Sequence, residues 1–489
     1  MSPIIGVDRL WSVDVERIRS KPGAVLVVLC AVLALDGMDV ASMGPALPQI
    51  GSDLRMSPDA LQWVVSAYVI GYGGFLLLGG RLADLFPRRR LLVGALALFA
   101  AASLVGGFAD TGTMLIAARL AKGVTAAFTA PTALAILLAT YRDEHSRNRA
   151  LGAFISMGAV GFTSGLVIGG ALADVSWRLT LFLPSLLAVL IAVAAQIVVP
   201  ADQGRAREDS RVDLAGAITV TAAVLLLVFA ASRAATAGWG DTGTLASIAG
   251  SLVLLGSFVA IEGRRTHPLV PLDVFRRPEI AAADICAGLF QGAYVGFQFI
   301  ATLYFQDRLG WSPLRTGLAF LIGGVMVLVF SRRFAAAVTR FGAWPVAAAG
   351  LAVQTVAYLW FTQLGRVDPL VLILVGQPVM GLGYAATYPA LNISAVAHAR
   401  PEDEGLAGGM FISATQIGSG IALGIAASIL TANEVHGLSA YRDGLWAVLG
   451  MSAAAALLSM VRAARTTRTA QRPQPTLIEP RKECCGSPT

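Results

Sequence analysis

The chain has 489 residues, of which 56% are hydrophobic and 14% charged, with a mean hydropathy of +0.70 and a formal charge of +7. That balance excludes an ordinary water-soluble globular domain. The basic excess does not describe a nucleic-acid surface either, because Lys and Arg fall in short tufts between apolar blocks. Each block is about twenty residues long, enough to cross roughly 30 Å of hydrocarbon as a helix. Lipid satisfies no backbone polar group, so the blocks must be helical.

In chain order, residues 1–22 read as a polar cytoplasmic arm with neither the apolar core nor the cleavage site of a removable signal peptide. Fourteen spans follow, at approximately 23–45, 60–80, 91–109, 113–139, 150–172, 179–199, 213–232, 244–262, 280–304, 314–336, 344–362, 369–390, 405–430 and 444–462. The expected organisation is an N-terminal six-helix bundle over 23–200, two inserted transmembrane helices with flanking loops over 201–279, and a C-terminal six-helix bundle over 280–462. Residues 463–489, rich in Arg, Thr and Pro, read as a disordered cytoplasmic tail. An even number of spans places both termini on one side. Assigning that side to the cytoplasm leaves about 28 Lys and Arg inside and about 7 outside. Cys30 and Cys286 lie in apolar blocks and Cys484 and Cys485 are adjacent in the tail, which makes no disulfide framework.

Several patterns recur along this plan. The turn after the second span runs Gly80-Arg-Leu-Ala-Asp84-Leu-Phe-Pro87-Arg88-Arg-Arg90, and the fourth span contains Arg119-Leu-Ala-Lys122-Gly123. The fifth carries Gly152, Gly161, Gly165, Gly169 and Gly170, with Leu166 among them, and Asp39 stands nine residues before Pro48 in the first. Asp213-Leu-Ala-Gly216, Gly238-Trp-Gly240, His267-Pro-Leu-Val-Pro271 and Gly310-Trp-Ser-Pro313 follow in order.

Together these residues resemble the major facilitator superfamily, and more narrowly its fourteen-span drug:proton antiporter family, over nearly the whole chain. The resemblance departs at Pro87, where a glycine is usual, at Lys122 in place of glutamine, at Leu166 in place of proline, and at Ala41 in place of threonine. It implies an all-α membrane protein with the major facilitator fold, two six-helix bundles plus two inserted spans. It also implies a non-enzymatic exporter of hydrophobic or cationic small molecules, such as drugs, antibiotics or dyes, in exchange for protons. Such a protein needs no cofactor beyond the proton gradient, takes small molecules, protons and lipid as partners, and is expected to be a monomer in a bacterial inner membrane. A proton-coupled importer or a facilitator of a polar metabolite is the alternative on the same fold. No Gly-x-x-x-x-Gly-Lys-Ser/Thr phosphate loop occurs, so a built-in ATPase is disfavoured.

The chemistry is expected where charge lies deep in lipid. An ionisable residue near a span centre costs about 2.5–3.5 kcal/mol and needs a partner or a wet cavity. Asp36 and Asp39 share one face of the first span, and Arg119 and Lys122 share one face of the fourth. At a rise of about 1.5 Å per residue, Asp39 and Arg119 fall about 8–10 Å below the outer boundary and Asp36 and Lys122 about 11–14 Å below it. The expected pairs are Asp39 with Arg119 and Asp36 with Lys122, forming either a proton-coupling cluster or a permanent ion-paired network that only holds the first and fourth spans together. The resemblance points to Asp39 as the coupling carboxylate.

Substrate-lining candidates are Gln291, Tyr294 and Gln298 on one face of the ninth span, and Gln377, Met380, Tyr384 and Tyr388 at helical spacing in the twelfth. Amides, a polarizable sulfur and aromatic faces can hold varied apolar cations. Asp284 reads as an interfacial charge near the inner mouth. Within the Gly80 to Arg88 turn, Asp84 by the resemblance helps latch neighbouring helices in one access state, and Gly161, Gly165 and Gly169, recurring every fourth position, let another helix approach closely.

Overall fold

The computed structural model describes residues 22–141, 143–201, 214–265, 277–398, 404–432 and 437–470. Among these residues the secondary structure is helical, with no β-strand. The first eight helices are α1 (Pro22–Leu54), α2 (Pro58–Leu85), α3 (Arg88–Gly107), α4 (Gly112–Thr140), α5 (Glu144–Val175), α6 (Leu179–Val198), α7 (Leu214–Ala237) and α8 (Thr242–Glu262). The next six are α9 (Pro278–Leu303), continued by a π turn over Tyr304–Arg308, then α10 (Pro313–Phe341), α11 (Ala343–Phe361), α12 (Pro369–Ala397), α13 (Glu404–Ala432) and α14 (Leu438–Ala470).

Local chemistry sets many of these starts. Ser57, Thr111, Asp143, Asp241, Ser312 and Asp368 each accept a hydrogen bond from a first-turn N–H of the helix that follows. Proline opens α2, α9, α10 and α12, where its missing N–H has no helical partner to lose. Gly342, at φ 86°, breaks α10 from α11 in a backbone region that disfavours other residues.

Two boundaries differ most from the sequence expectation. The first helix runs to Leu54 rather than to about residue 45, with Pro45 and Pro48 inside it. Internal proline ends helices in water, whereas in a packed membrane bundle neighbouring helices can satisfy the freed backbone groups. The last helix continues to Ala470, into the stretch read as tail. The rest of that tail, the N-terminal arm up to residue 21 and the loops over 202–213 and 266–276 lie outside the described residues.

Eleven of the helices are long and apolar enough to cross a membrane, whereas α2, α5 and α7 carry shorter apolar stretches, Ala60–Leu76, Val160–Val175 and Ile218–Leu227. The chain is therefore a multi-pass membrane protein.

Packing repeats between the two ends of the chain. In the first part α1 lies against α5, α2 against α4, and α3 against α4 and α6; in the last part α9 lies against α13, α10 against α12, and α11 against α12 and α14. The parts meet through α2 with α13 and α5 with α10. The pair α7–α8 is attached to the flank of that seam: Thr221 donates to the Gly74 carbonyl at 2.6 Å, and α7 also packs on α13.

The apolar cores show where the parts separate. At the end where α1 terminates, one continuous core joins Leu47 and Ile50 of the first part to Phe297 and Phe305 of the last. At the opposite end, where α1 begins, there are two cores, one around Val25, Phe99 and Leu137 and another around Phe290, Trp344 and Phe411. The two parts thus share one apolar core at the far end and keep separate cores at the near end, with Ile412 packed against both of the latter. A pocket of about 290 Å³ at the far end, bordered by Met56, Leu61, Arg308 and Tyr441, touches none of the expected site residues.

Candidate transport site

The four charged residues expected in the spans come together, on α1 and α4. Asp36, Asp39, Arg119 and Lys122 are 5%, 0%, 1% and 0% exposed. The pairing differs from the expected one. Arg119 donates to Asp39 Oδ2 at 2.8 Å and Lys122 donates to Asp39 Oδ1 at 2.5 Å, so both cations hold the same carboxylate. Linear depth along ideal helices placed Lys122 level with Asp36, but a four-carbon stem spans a full helical turn, and Asp39 gains two charge-assisted bonds in a dry interior.

The cations also contact residues the sequence did not single out. Arg119 Nε donates to the Val64 carbonyl at 2.9 Å, and its guanidinium lies 4.5 Å from the centroid of the Tyr68 ring. The Lys122 ammonium lies 4.7 Å from the centroid of Phe99. Such faces offset part of the desolvation that a buried cation suffers.

Asp36 is differently placed. Its Oδ2 lies 2.9 Å from the Thr129 hydroxyl, and its Oδ1 is buried with no hydrogen-bond partner among the described residues. Tyr68 stacks on Tyr72 one turn along α2, with centroids 6.1 Å apart. The i, i+4 spacing of those tyrosines was visible in the sequence; nothing distinguished Thr129 from the other hydroxyls of α4.

Across the interior, α9 carries a partly buried stripe through Asp284, Gly288, Gln291, Tyr294, Val295 and Gln298, between buried neighbours. Gln298 donates to the Tyr294 hydroxyl at 3.4 Å, and the Tyr384 hydroxyl of α12 donates to Gln291 Oε1 at 3.0 Å. The Tyr384 ring lies 4.9 Å from Tyr294 and stacks on Tyr388 at 5.9 Å. Phe162 of α5 reaches Tyr294 from the other part at 6.1 Å.

Gln377 and Met380 do not join this wall. Gln377 is 2% exposed and packs against Gly323 of α10, and Met380 is buried in the far-end core. Asp284 was expected to be an interfacial charge; its Oδ1 is buried and has no hydrogen-bond partner among the described residues, at the near end of this stripe.

A shift of 255 residues carries Ser57 onto Ser312, Asp36 onto Gln291 and Thr129 onto Tyr384. Both serines cap helices with proline following, and Thr129 contacts Asp36 as Tyr384 contacts Gln291. The same junction therefore occurs twice, once with an ionisable acid and once with a neutral amide.

The sequence profile described as Major Facilitator Superfamily matches residues 29–423. The chain belongs to that superfamily.

Among superfamily relatives, the cephamycin export protein CmcT of Amycolatopsis lactamdurans is 32% identical over 82% of this chain and 83% of its own length. The puromycin resistance protein pur8 of Streptomyces alboniger is 34% identical over 82% and 80%. The crystal structure of a bacterial homolog of the human lysosomal transporter Spinster, in an inward-facing and unoccupied conformation, superimposes with a TM-score of 0.65. It is 15% identical and covers 92% of this chain and 98% of its own. The chain is a transporter and not an enzyme.

The positions resembling superfamily signatures serve the fold visibly. A Cβ on Gly161, Gly165 or Gly169 would stand 2.1 Å from the Ala34 carbonyl, 2.5 Å from that of Met38 or 2.4 Å from Ser42 Cα, so this stripe is what lets α5 lie directly on the charged helix α1. Gly170 instead meets Pro313 of α10, whereas Gly152 is exposed and Gly80 would have nothing within 4 Å of a Cβ. Arg88 donates to the carbonyls of Ala83 and Ala135, tying the α2–α3 turn to α4. The side chain of Asp84 lies outside the described residues.

Proposed function

We propose that this superfamily member exports hydrophobic or cationic small molecules, drugs or antibiotics among them, in exchange for protons. The observation that carries the reading is the buried cluster itself: Asp39 is clasped by Arg119 and Lys122, and Asp36 lies one turn away with an unsatisfied oxygen. Isolated ionised groups in a membrane interior are costly, and where retained they typically mark ion or proton pathways. The named activities of CmcT and pur8, antibiotic export and resistance, support drug efflux as the direction and cargo class.

On this reading Tyr294, Tyr384, Tyr388, Gln291 and Gln298 form the adaptable wall for cargo. Aromatic faces attract cations whose shapes vary, and amides supply donors or acceptors as needed. The cleft at the near end admits cargo from the cytoplasm, and the shared far-end core is the closed gate. Fourteen spans, both termini in the cytoplasm, residence in a bacterial inner membrane and a monomeric state complete the proposal. A pH difference equivalent to about 150 mV supplies roughly 3.5 kcal/mol per proton, which sustains a several-hundred-fold cargo ratio.

The test is ethidium movement in everted vesicles containing the protein. Accumulation driven by an imposed pH gradient, and its collapse on adding a protonophore, is the expected result. Accumulation that is indifferent to the protonophore overturns proton exchange.

A further inference from the structure

The export reading is the premise here, and the further step is a division of labour within its charged cluster. We propose that Asp36, and not Asp39, is the carboxyl group that carries the exchanged proton, and that an organic cation displaces the proton from it.

Asp39 is poorly suited to the task. Both of its oxygens are engaged by cations, at 2.8 and 2.5 Å. Protonating it would leave two buried positive charges facing a neutral acid, the most costly way to disturb such a group.

Hydrogen counting points to Asp36. The Thr129 hydroxyl lies 2.9 Å from Asp36 Oδ2 and 2.8 Å from the Ala126 carbonyl, yet a hydroxyl has one proton to give. With Asp36 ionised, the single hydroxyl proton must be shared between two acceptors, and Oδ1 remains a buried anionic atom without a donor among the described residues. With a proton on Oδ2, Asp36 donates to Thr129, Thr129 donates to Ala126, and every hydrogen has an acceptor.

The charged and titratable groups around Asp36 are accounted for. Asp39 lies one turn along α1, Arg119 and Lys122 on α4 are committed to Asp39, and Tyr68 and Tyr72 face it from α2. Tyr72 is within electrostatic reach of both Asp36 and Tyr388.

The exchange balances. A cargo cation arrives, the Asp36 O–H bond breaks, the proton passes to water in the cleft, and the carboxylate pairs with the cation. After the cleft reopens on the opposite side, a proton from that side takes the oxygen and the cation leaves. One proton replaces one monovalent cation, so the cluster keeps its charge throughout and the exchange is electroneutral.

The experiment uses purified full-length protein in weak buffer with a pH indicator and ethidium as the probe. Wild-type protein is expected to release about one proton per ethidium bound, Asp36→Asn to release none and bind ethidium about tenfold more weakly, and Asp36→Glu to restore release. A second measurement needs no variant: dicyclohexylcarbodiimide, which reacts with protonated buried carboxyls, should modify Asp36 in the wild type, and ethidium should block the adduct. Equal proton release by wild type and Asp36→Asn, or an adduct on Asp39 in place of Asp36, overturns the assignment while leaving proton-coupled export standing. Wild-type protein that binds ethidium without releasing a proton overturns coupled export and this assignment together.

Discussion

The ammonium of Lys122 lies 2.5 Å from Asp39 Oδ1, on the carboxylate one helical turn from the one its depth in the sequence assigned to it. That relationship turns two expected ion pairs into a three-membered clasp plus a separate acid. It predicts unequal consequences for the two aspartates. Asp39→Asn strands Arg119 and Lys122 together, and removing one partner of a buried pair costs about 3–5 kcal/mol. Thermal unfolding of the purified variant should show the loss, and the double change Asp39→Asn with Lys122→Gln should recover part of it. Lys122→Gln alone should be milder, because Arg119 still holds Asp39.

The close contact of α5 with α1 predicts a sharp positional contrast among glycines. Gly161→Ala places a methyl 2.1 Å from the Ala34 carbonyl, where both neighbours are helix backbone and neither can yield cheaply. Overpacking of about 1–3 kcal/mol or more is expected, with loss of folded protein in membranes. Gly152→Ala, at an exposed position with nothing within 4 Å, should be neutral or stabilising by about 0.5–1 kcal/mol. Expression and unfolding temperature of the two variants decide the point.

Tyr384→Phe removes the hydroxyl that donates to Gln291 and leaves the stacked rings of Tyr384 and Tyr388 in place. A single hydrogen bond contributes about 0.5–1.5 kcal/mol, so ethidium affinity should fall about 2–10-fold. Tyr384→Ala, which also deletes an aromatic face, should fall further. Equilibrium fluorescence titration measures both, and an unchanged affinity in the alanine variant would remove this wall from the cargo site.

The asymmetry of the cores predicts graded accessibility. In a variant lacking Cys30, Cys286, Cys484 and Cys485, a cysteine at position 284 should react with a water-soluble maleimide from the near end. A cysteine at position 380, in the closed core, should react far more slowly. Equal rates would show that the far end is not sealed.

Much of the architecture was legible because lipid imposes a coarse and forgiving rule: a run of apolar residues of sufficient length must be helical. That rule identified a segment for every helix seen, but it misplaced the end of α1, since Pro45 and Pro48 carry a stop signal in water that a packed membrane helix can override. The site was legible to the level of which helices carry charge. Its wiring was not, because whether Lys122 meets Asp36 or Asp39 depends on side-chain reach of a few ångströms, smaller than the uncertainty of any span end. Thr129 was invisible for a different reason: one hydroxyl among several on α4 gains meaning only when a carboxyl stands opposite it. Gln377 and Met380 kept helical spacing with Tyr384 and Tyr388, yet periodicity along one helix does not say where a neighbouring helix such as α10 closes over it.

The duplicated junction, acid with hydroxyl in one half and amide with phenol in the other, has an evolutionary corollary. On the proposed export reading, changes of residue on α9 and α12 alter the aromatic wall while the acids and cations of α1 and α4 stay in place. A lineage facing a new toxin then has one wall of the cargo site to vary without replacing the carboxyl that the proposal assigns to the proton.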